Sequence, residues 1–583
     1  MSDFKLTPLD HLIAVYGEGT GTRTYKRYRH LVDKYRPLFP APRQPGLTEQ
    51  DSILITYGDQ VRQPGIPHLQ SLTEFCTAYV QDTISAVHIL PFFPYSSDDG
   101  FSVIDYKQVD SGLGTWQDIE SLGERFKLMF DAVINHISAT SDWFGRFLQD
   151  EQPYTDFFIV VDGDPDLSAV VRPRALPLLT CVTTRSSEKK VWTTFSNDQI
   201  DLNYGNPQVL IEILDTLLFY VQHGADLIRL DAIAYLWKEI GTACIHLPQT
   251  HYLVQLMRAA LDEIAPHVQI ITETNVPHDE NISYFGDGTN EAGLVYNFAL
   301  PPLVLHTLRT GDSTAISRWA SGLRLPSTQV TFFNFLASHD GIGVTPAKGL
   351  IPPDDIQALV DLTLSHGGRV SYRSNQDGSQ SPYELNINYF DALSDPSSEE
   401  AQETQVDRFI AAHAIMFSLV GVPGIYFHSL TGSRGWADGI LETGRNRTIN
   451  RQKLELDELK AQLADPASLR SQVFQQLKHL LEVRAFHPAF NPYGRQQVMD
   501  IDGRVFAVRR ISPGGEQNIL CLQNISTQQV TLYLDQLGFP QHKGPQVDLV
   551  ANIPISPGEE KPLLLRPYQT IWIAPGKGSK HED

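Results

Sequence analysis

Eight short apolar runs punctuate the chain between Ser52 and Leu430, separated by longer helix-compatible stretches. They read SILITY, AVHILPF, KLMFDAVI, DLIRLDA, QIITET, LVYNFAL, FFNFLAS and GIYFHSL. This alternation predicts a parallel sheet, and eight repeats suit a closed (β/α)8 barrel better than an open doubly wound sheet. An open nucleotide-binding sheet would also carry a glycine-rich turn after its first strand, and ITYGDQ is not one.

Four segments at or beside these runs carry charged or polar residues: DAVINH (Asp131–His136), IRLDAIA (Ile228–Ala234), ITETN (Ile271–Asn275) and LASHD (Leu336–Asp340). Strand ends in a parallel barrel open on one face. Asp131, His136, Arg229, Asp231, Glu273, His339 and Asp340 are therefore predicted to meet there. Residues two apart on a strand share a side, so Arg229 falls beside Asp231 and would keep it ionised, as a nucleophile requires. Glu273 would need a raised pKa to protonate a leaving oxygen. Three acids on such a face suit glycosyl transfer: one attacks the sugar carbon, one protonates, and one holds the sugar as positive charge develops.

Composition narrows the partners. The 583 residues are 42% hydrophobic and 20% charged, with a formal net charge of −22 that disfavours nucleic acid and anionic membranes. No apolar run reaches the roughly 18 residues of a membrane span, and MSDFKLTPLDHLIAVYGEG lacks the shape of a secretion signal. Cys76, Cys181, Cys244 and Cys521 are far apart without a CxxC pair, and read as reduced thiols rather than disulfides or a zinc site. These features predict a cytoplasmic protein that handles small molecules, and they leave monomer and homodimer equally open.

The chain divides into an N-terminal helical extension (1–50), a barrel (51–490) and a C-terminal β domain (491–583) whose strands include RVFAVRRIS and QTIWIAP. The basic run Lys26–Arg29 reads as a solvated helix face, and the Pro-rich PLFPAPRQPG breaks the helical pattern. Within the barrel, an inserted domain (137–195) follows the third strand, and an acceptor-loop region (345–404) follows the seventh. Loops this long inside a compact domain are usually functional. The charged tail GKGSKHED reads as frayed.

The four segments resemble, in order, the signature regions of the α-amylase superfamily, glycoside hydrolase family 13. That resemblance implies Asp231 as nucleophile, Glu273 as general acid/base and Asp340 as transition-state stabiliser. It also implies retention of configuration through a glucosyl-enzyme, which needs the two working carboxyls only about 5–5.5 Å apart. HILPFFPYSSDDGFSVIDY, RPRALPL, VWTTFSNDQIDLNY and SHDGIGV are similar to the sucrose phosphorylase subfamily. This implies a one-glucose subsite formed by Asp98, Phe101, His136, Phe195, Gln199, Arg229, His339 and Arg447. Arg174 matches the position of a phosphate-binding arginine, with Arg172 as the alternative, and Tyr383 matches a mobile acceptor-loop tyrosine.

The chain departs from sucrose phosphorylase at Glu384, where that enzyme has Gln after the loop Tyr. ITETNVPHDENISYFG and LTGSRGWADG look closest to the branch that acts on glucosylglycerate. An acidic acceptor needs a cation to offset its desolvation, and Arg369, Arg373 and Arg434 are the loop candidates. The resemblance thus implies phosphorolysis of 2-O-α-D-glucosyl-D-glycerate, with sucrose phosphorylase, a water-using α-glucosidase and a non-catalytic amylase-like protein as the rival readings. No cofactor is implied. Some amylases hold calcium near the residue matching Asn135, but the sequence shows no dense oxygen-ligand cluster that demands a metal.

Overall fold

The computed structural model describes residues 6–39, 46–174, 176–375, 379–533, 546–555 and 562–575. Part of the Pro-rich break (40–45) and the charged tail lie outside the described residues.

Each of the eight apolar runs supplies a barrel strand. These are β1 (Ile53–Thr56), β2 (Ala86–Ile89), β3 (Lys127–Ala132), β4 (Ala225–Leu230), β5 (Gln269–Thr272), β6 (Leu294–Tyr296), β7 (Thr331–Phe335) and β8 (Val422–Tyr426). They pair in parallel in sequence order, and β8 closes on β1 through Ile53 opposite Gly424. The strands are buried on both sides because helices wrap the outside and side chains fill the inside, so they read as unbroken apolar runs. Gly424 is required by close packing: a Cβ there would collide with the Phe333 ring.

Between β3 and β4 the chain leaves the barrel. His136–Ser138 pairs with Gln199–Asp201, and Leu179–Thr183 pairs with Glu188–Trp192. This insertion has its own small core of Val161, Val170, Leu178 and Trp192, closed by Cys244 from the loop after β4. Between β7 and β8, Ile342–Gly343, Gln380–Asn386 and Arg369–Ser374 form a three-stranded antiparallel sheet with Gln380–Asn386 in the middle. Tyr383 and Glu384 thereby sit on a paired strand.

The C-terminal strands form a six-stranded antiparallel sheet with its own apolar cluster around Leu520, Leu522 and Ile573. Arg510, fully buried, joins it to the barrel by donating to the carbonyls of Leu419 (2.7 Å) and Ser418 (3.2 Å).

The N-terminal helix Pro8–Tyr35 starts at a capping box in which the Thr7 hydroxyl accepts from the Asp10 amide and the Asp10 carboxylate accepts from the Thr7 amide. It docks on the barrel helices Pro207–Gln222 and Pro248–Ile264. The basic run is more than a solvated face: Arg29 pairs with Glu263 at 2.5 Å, and Glu263 also accepts from the Tyr28 hydroxyl at 2.8 Å.

Candidate active site

Strand register builds the floor of the site. Asp131 on β3 lies opposite Arg229 on β4, and Arg229 lies opposite Ile271 on β5. The Arg229 guanidinium pairs with Asp131, donates to Asp231 Oδ1 at 2.7 Å and approaches Glu273 Oε1 at 3.9 Å. Asp131 is completely buried and is also held by His88 Nε2 at 2.7 Å. Arg229 is thus a buried cation among three carboxylates, flanked by the rings of Tyr296 and Phe101 at 5.4 and 5.6 Å.

Asp231 and Glu273 differ from Asp340 in their electrostatics. Burial pushes Glu273 up to about 7, with Arg229 opposing and Asp231 and Asp340 adding to the rise. Burial also raises Asp231, so its partnership with Arg229 offsets only part of the desolvation; the sequence predicted the pair but not this balance. Asp340 is held below the ordinary carboxylate range: burial works against ionisation and is outweighed by Arg447, then His339 and Arg451. Immediately after Asp231, Ala232 adopts a left-handed backbone (φ 50°, ψ 33°), and its N–H donates to Glu273 Oε2 at 3.0 Å. A strained turn therefore fixes Glu273 beside Asp231.

A cavity opens above these acids, lined by Asp98, Phe101, His136, Arg174, Phe195, Gln199, Asp231, Glu273, His339, Asp340, Tyr383 and Arg447 among others. The Phe101 and His339 rings stack at 4.6 Å and 6°. His136 Nε2 and Gln199 Nε2 both lie 2.9 Å from the Phe101 carbonyl, which locks the wall. Burial drives His339 down to about 3, so this ring is neutral in the working range.

A second, wider cavity continues outward and shares Asp98, Arg174, Gln199, Tyr383 and Arg447 with the first. Glu384 lines it but is almost wholly buried, with both oxygens bound by Arg447 at 2.9 and 3.0 Å. Arg174 enters from the insertion, donating to Asp98 at 3.3 Å and lying over the Phe195 ring at 6.0 Å. Arg172, the alternative phosphate ligand, instead donates to the Leu176 carbonyl at 2.6 Å.

The three loop arginines expected at the acceptor are not among the residues that line either cavity. Arg434 is bound to Asp391 (2.8 Å) and to Gln405, over the Phe390 ring. Arg369 donates back to the Gly367 and Gly368 carbonyls, and Arg373 donates across its hairpin to Ser381 at 3.3 Å. Arg369 and Arg373 are thus engaged within their own segment, and Arg434 by two helices that precede it in the chain.

Sequence reasoning missed several residues. Arg451 donates to the His339 carbonyl at 2.9 Å, pairs with Asp99 and stands 3.7 Å from Asp98. Tyr235 meets Phe195 edge-on at 5.5 Å in the cavity wall. His88 had one visible signal, a lone polar ring inside an apolar strand. Lys238 is buried, with its ammonium 2.5 Å from Asp201 and 2.8 Å from Asn135 Oδ1. The Asn135 position associated with calcium in some amylases thus faces a cation from the chain itself. Among the described residues, no cluster of His, Cys, Asp and Glu could hold a metal ion.

Residues 69–340 match the alpha-amylase catalytic domain. The chain is 49% identical to the glucosylglycerate phosphorylase of Allomeiothermus silvanus, covering 97% of this chain and 98% of that protein. The chain belongs to the α-amylase family, among its glycoside phosphorylases. The Escherichia coli glucosylglycerate phosphorylase is 45% identical over 97% of this chain and 99% of its own length. The sucrose phosphorylase of Agrobacterium vitis is more distant, at 31% over 75% of this chain and 88% of its own length. Among solved structures, sucrose 6F-phosphate phosphorylase from Thermoanaerobacter thermosaccharolyticum superposes with a TM-score of 0.71 at 26% identity, covering 83% of this chain and 96% of that one.

Proposed function

We propose that the protein is a retaining α-glucosyl phosphorylase that converts 2-O-α-D-glucosyl-D-glycerate and phosphate into α-D-glucose 1-phosphate and D-glycerate. The observation that carries the chemistry is the shared guanidinium of Arg229, which meets Asp231 at 2.7 Å and Glu273 at 3.9 Å beneath one cavity. Identity of 45–49% to the relatives named glucosylglycerate phosphorylase supports the substrate.

The steps follow from the groups present. Asp231 attacks the anomeric carbon as the bond to the glycerate oxygen breaks, and Glu273, pushed up to about 7 by burial, gives that oxygen its proton. Asp340, kept ionised by Arg447, faces the positive charge that develops on the sugar ring. Phe101 and Phe195 wall the glucose, and Asp98, His136 and Gln199 hold its hydroxyls. Phosphate then enters through the outer cavity, where Arg174 offers a guanidinium. A phosphate oxygen attacks the glucosyl carbon, the bond to Asp231 breaks, and Glu273 takes the proton back.

No helix among the described residues is long and apolar enough to cross a membrane. The unpaired thiols of Cys76, Cys181, Cys244 and Cys521 suit a reducing cytosol.

The test incubates purified protein with phosphate and, in parallel, glucosylglycerate, sucrose, sucrose 6F-phosphate or glucosylglycerol, and measures glucose 1-phosphate. Faster release from any of the other three than from glucosylglycerate would refute the acceptor assignment.

A further inference from the structure

Four guanidiniums line the outer cavity, those of Arg174, Arg445, Arg447 and Arg451. They are not equally available to an incoming anion. Arg447 is saturated by both oxygens of Glu384 and by Asp340 at 2.6 Å. Arg451 is almost wholly buried and committed to Asp99 and the His339 carbonyl. Among the described residues Arg174 donates one long hydrogen bond, to Asp98 at 3.3 Å, and lies over the Phe195 ring.

Arg445 differs from all three. It is exposed at the cavity wall, and among the described residues its hydrogen bonds are made by its backbone: the N–H donates to the Thr443 hydroxyl at 3.2 Å and the carbonyl accepts from the Thr448 N–H at 3.2 Å. Among the described residues its guanidinium has no carboxylate partner. The local chain explains how it gets there: the helix Ala437–Thr443 ends at Gly444 in a left-handed conformation (φ 68°, ψ 10°), and Arg445 then precedes the 3-10 turn Asn446–Asn450. This reversal brings Arg445 to the same cavity wall as Arg447.

We propose that Arg445 reads the carboxylate of the acceptor, while Glu384 serves to neutralise and hold Arg447 rather than to touch the acceptor. This rests on the phosphorylase reading above and assigns a specificity residue within it. A carboxylate entering the cavity meets three cations already balanced or partly balanced by Asp98, Asp99, Asp340 and Glu384. Arg445 supplies the charge left over. A neutral acceptor of the same size gains nothing from it, so the residue discriminates by charge.

The experiment runs in the synthetic direction with glucose 1-phosphate as donor and compares kcat/KM for D-glycerate with that for glycerol. Both acceptors draw on the same glucosyl-enzyme, so the ratio isolates recognition of the carboxylate. Arg445→Met should lower the glycerate-to-glycerol ratio at least tenfold, and Arg445→Lys should restore most of it. A ratio within twofold of wild type overturns the assignment, as does a rise in the phosphate KM with the ratio intact, which would make Arg445 a phosphate ligand. Parallel loss of both acceptors also overturns it. Wild-type enzyme that makes no glucosylglycerate would sink the function reading, and this proposal with it.

Discussion

Glu384 grips Arg447 through both carboxylate oxygens, at 2.9 and 3.0 Å, while the same guanidinium reaches Asp340 at 2.6 Å. One cation thus joins the Gln380–Asn386 strand to Asp340, the proposed transition-state stabiliser. Glu384→Gln removes a charge but keeps a hydrogen-bonding amide. Losing one partner of a buried pair costs several kcal/mol, but Asp340 and the remaining contact reduce this to about 1–3 kcal/mol. A fall of that size is expected in the unfolding free energy. The outer cavity also becomes more positive, so the phosphate KM should drop several-fold. Unchanged stability and an unchanged phosphate KM would mean that the pair does not form in solution.

Asp231→Asn should abolish turnover, since no glucosyl-enzyme can form without the carboxylate. Stability should hold or rise, because burial disfavours the Asp231 charge and Asn removes it, while Arg229 keeps Asp131 as its partner. Phosphorolysis above a per cent or so of wild type, measured after excluding deamidation, would place the nucleophile elsewhere.

As the proposed general acid, Glu273 should set the alkaline limb of the pH profile. Its pKa is raised from 4.5 to about 7, so the proton needed by the leaving oxygen is lost as pH rises through that value. The first half-reaction should slow tenfold per pH unit above it when chemistry limits. The linkage sign is the same: the folded state binds this proton more tightly than the unfolded chain. The stability gained from it is complete below about 4.5 and is lost as pH rises to about 7. Glu273→Gln should lose glucosylglycerate as a substrate yet still form glucosyl-enzyme from α-glucosyl fluoride, whose leaving group needs little protonation. Equal loss on both substrates would make Glu273 a binding residue only.

Lys238 and Asp201 form a buried ion pair at 2.5 Å beneath the insertion. Lys238→Met strands a fully buried carboxylate, at a cost of about 3–5 kcal/mol moderated by the Thr194 and Asn135 donors that also reach Asp201. Thermal unfolding should shift down markedly, and the double variant with Asp201→Asn should recover much of it. If the double variant is less stable than the single one, the pair is not what holds this corner.

The barrel and its three acids were legible because they depend on local pattern. Each strand is an apolar run, and Asp231, Glu273 and Asp340 follow their strands by one to five residues. The partners of the loop arginines were not legible. Whether Arg434 faces an acceptor or Asp391 depends on how segments 43 residues apart fold together, and nothing near Arg434 in sequence records it. The same holds for Arg451, whose partner Asp99 lies 352 residues away. Glu384 was visible as a departure from the family pattern, but a sequence cannot say that its charge is spent on Arg447. Arg445 sits within GRNRTINR, where spacing alone gives no reason to separate it from Arg447.

Arg174 provides the test of why phosphate is chosen over water. Among the described residues its guanidinium makes one hydrogen bond, to Asp98 at 3.3 Å, which leaves donors for an anion at the point where the two cavities meet. A charge-assisted hydrogen bond is worth about 1.5–3 kcal/mol, and the lower end applies here because the side chain is a third exposed and partly screened. Arg174→Ala should therefore raise the phosphate KM about tenfold, with a smaller effect on the glucoside. The glucosyl-enzyme will then wait longer for phosphate, and water should take a larger share. Free glucose should rise relative to glucose 1-phosphate, most steeply at low phosphate. An unchanged product ratio would move the anion site away from Arg174, toward the Tyr383 strand or Arg172.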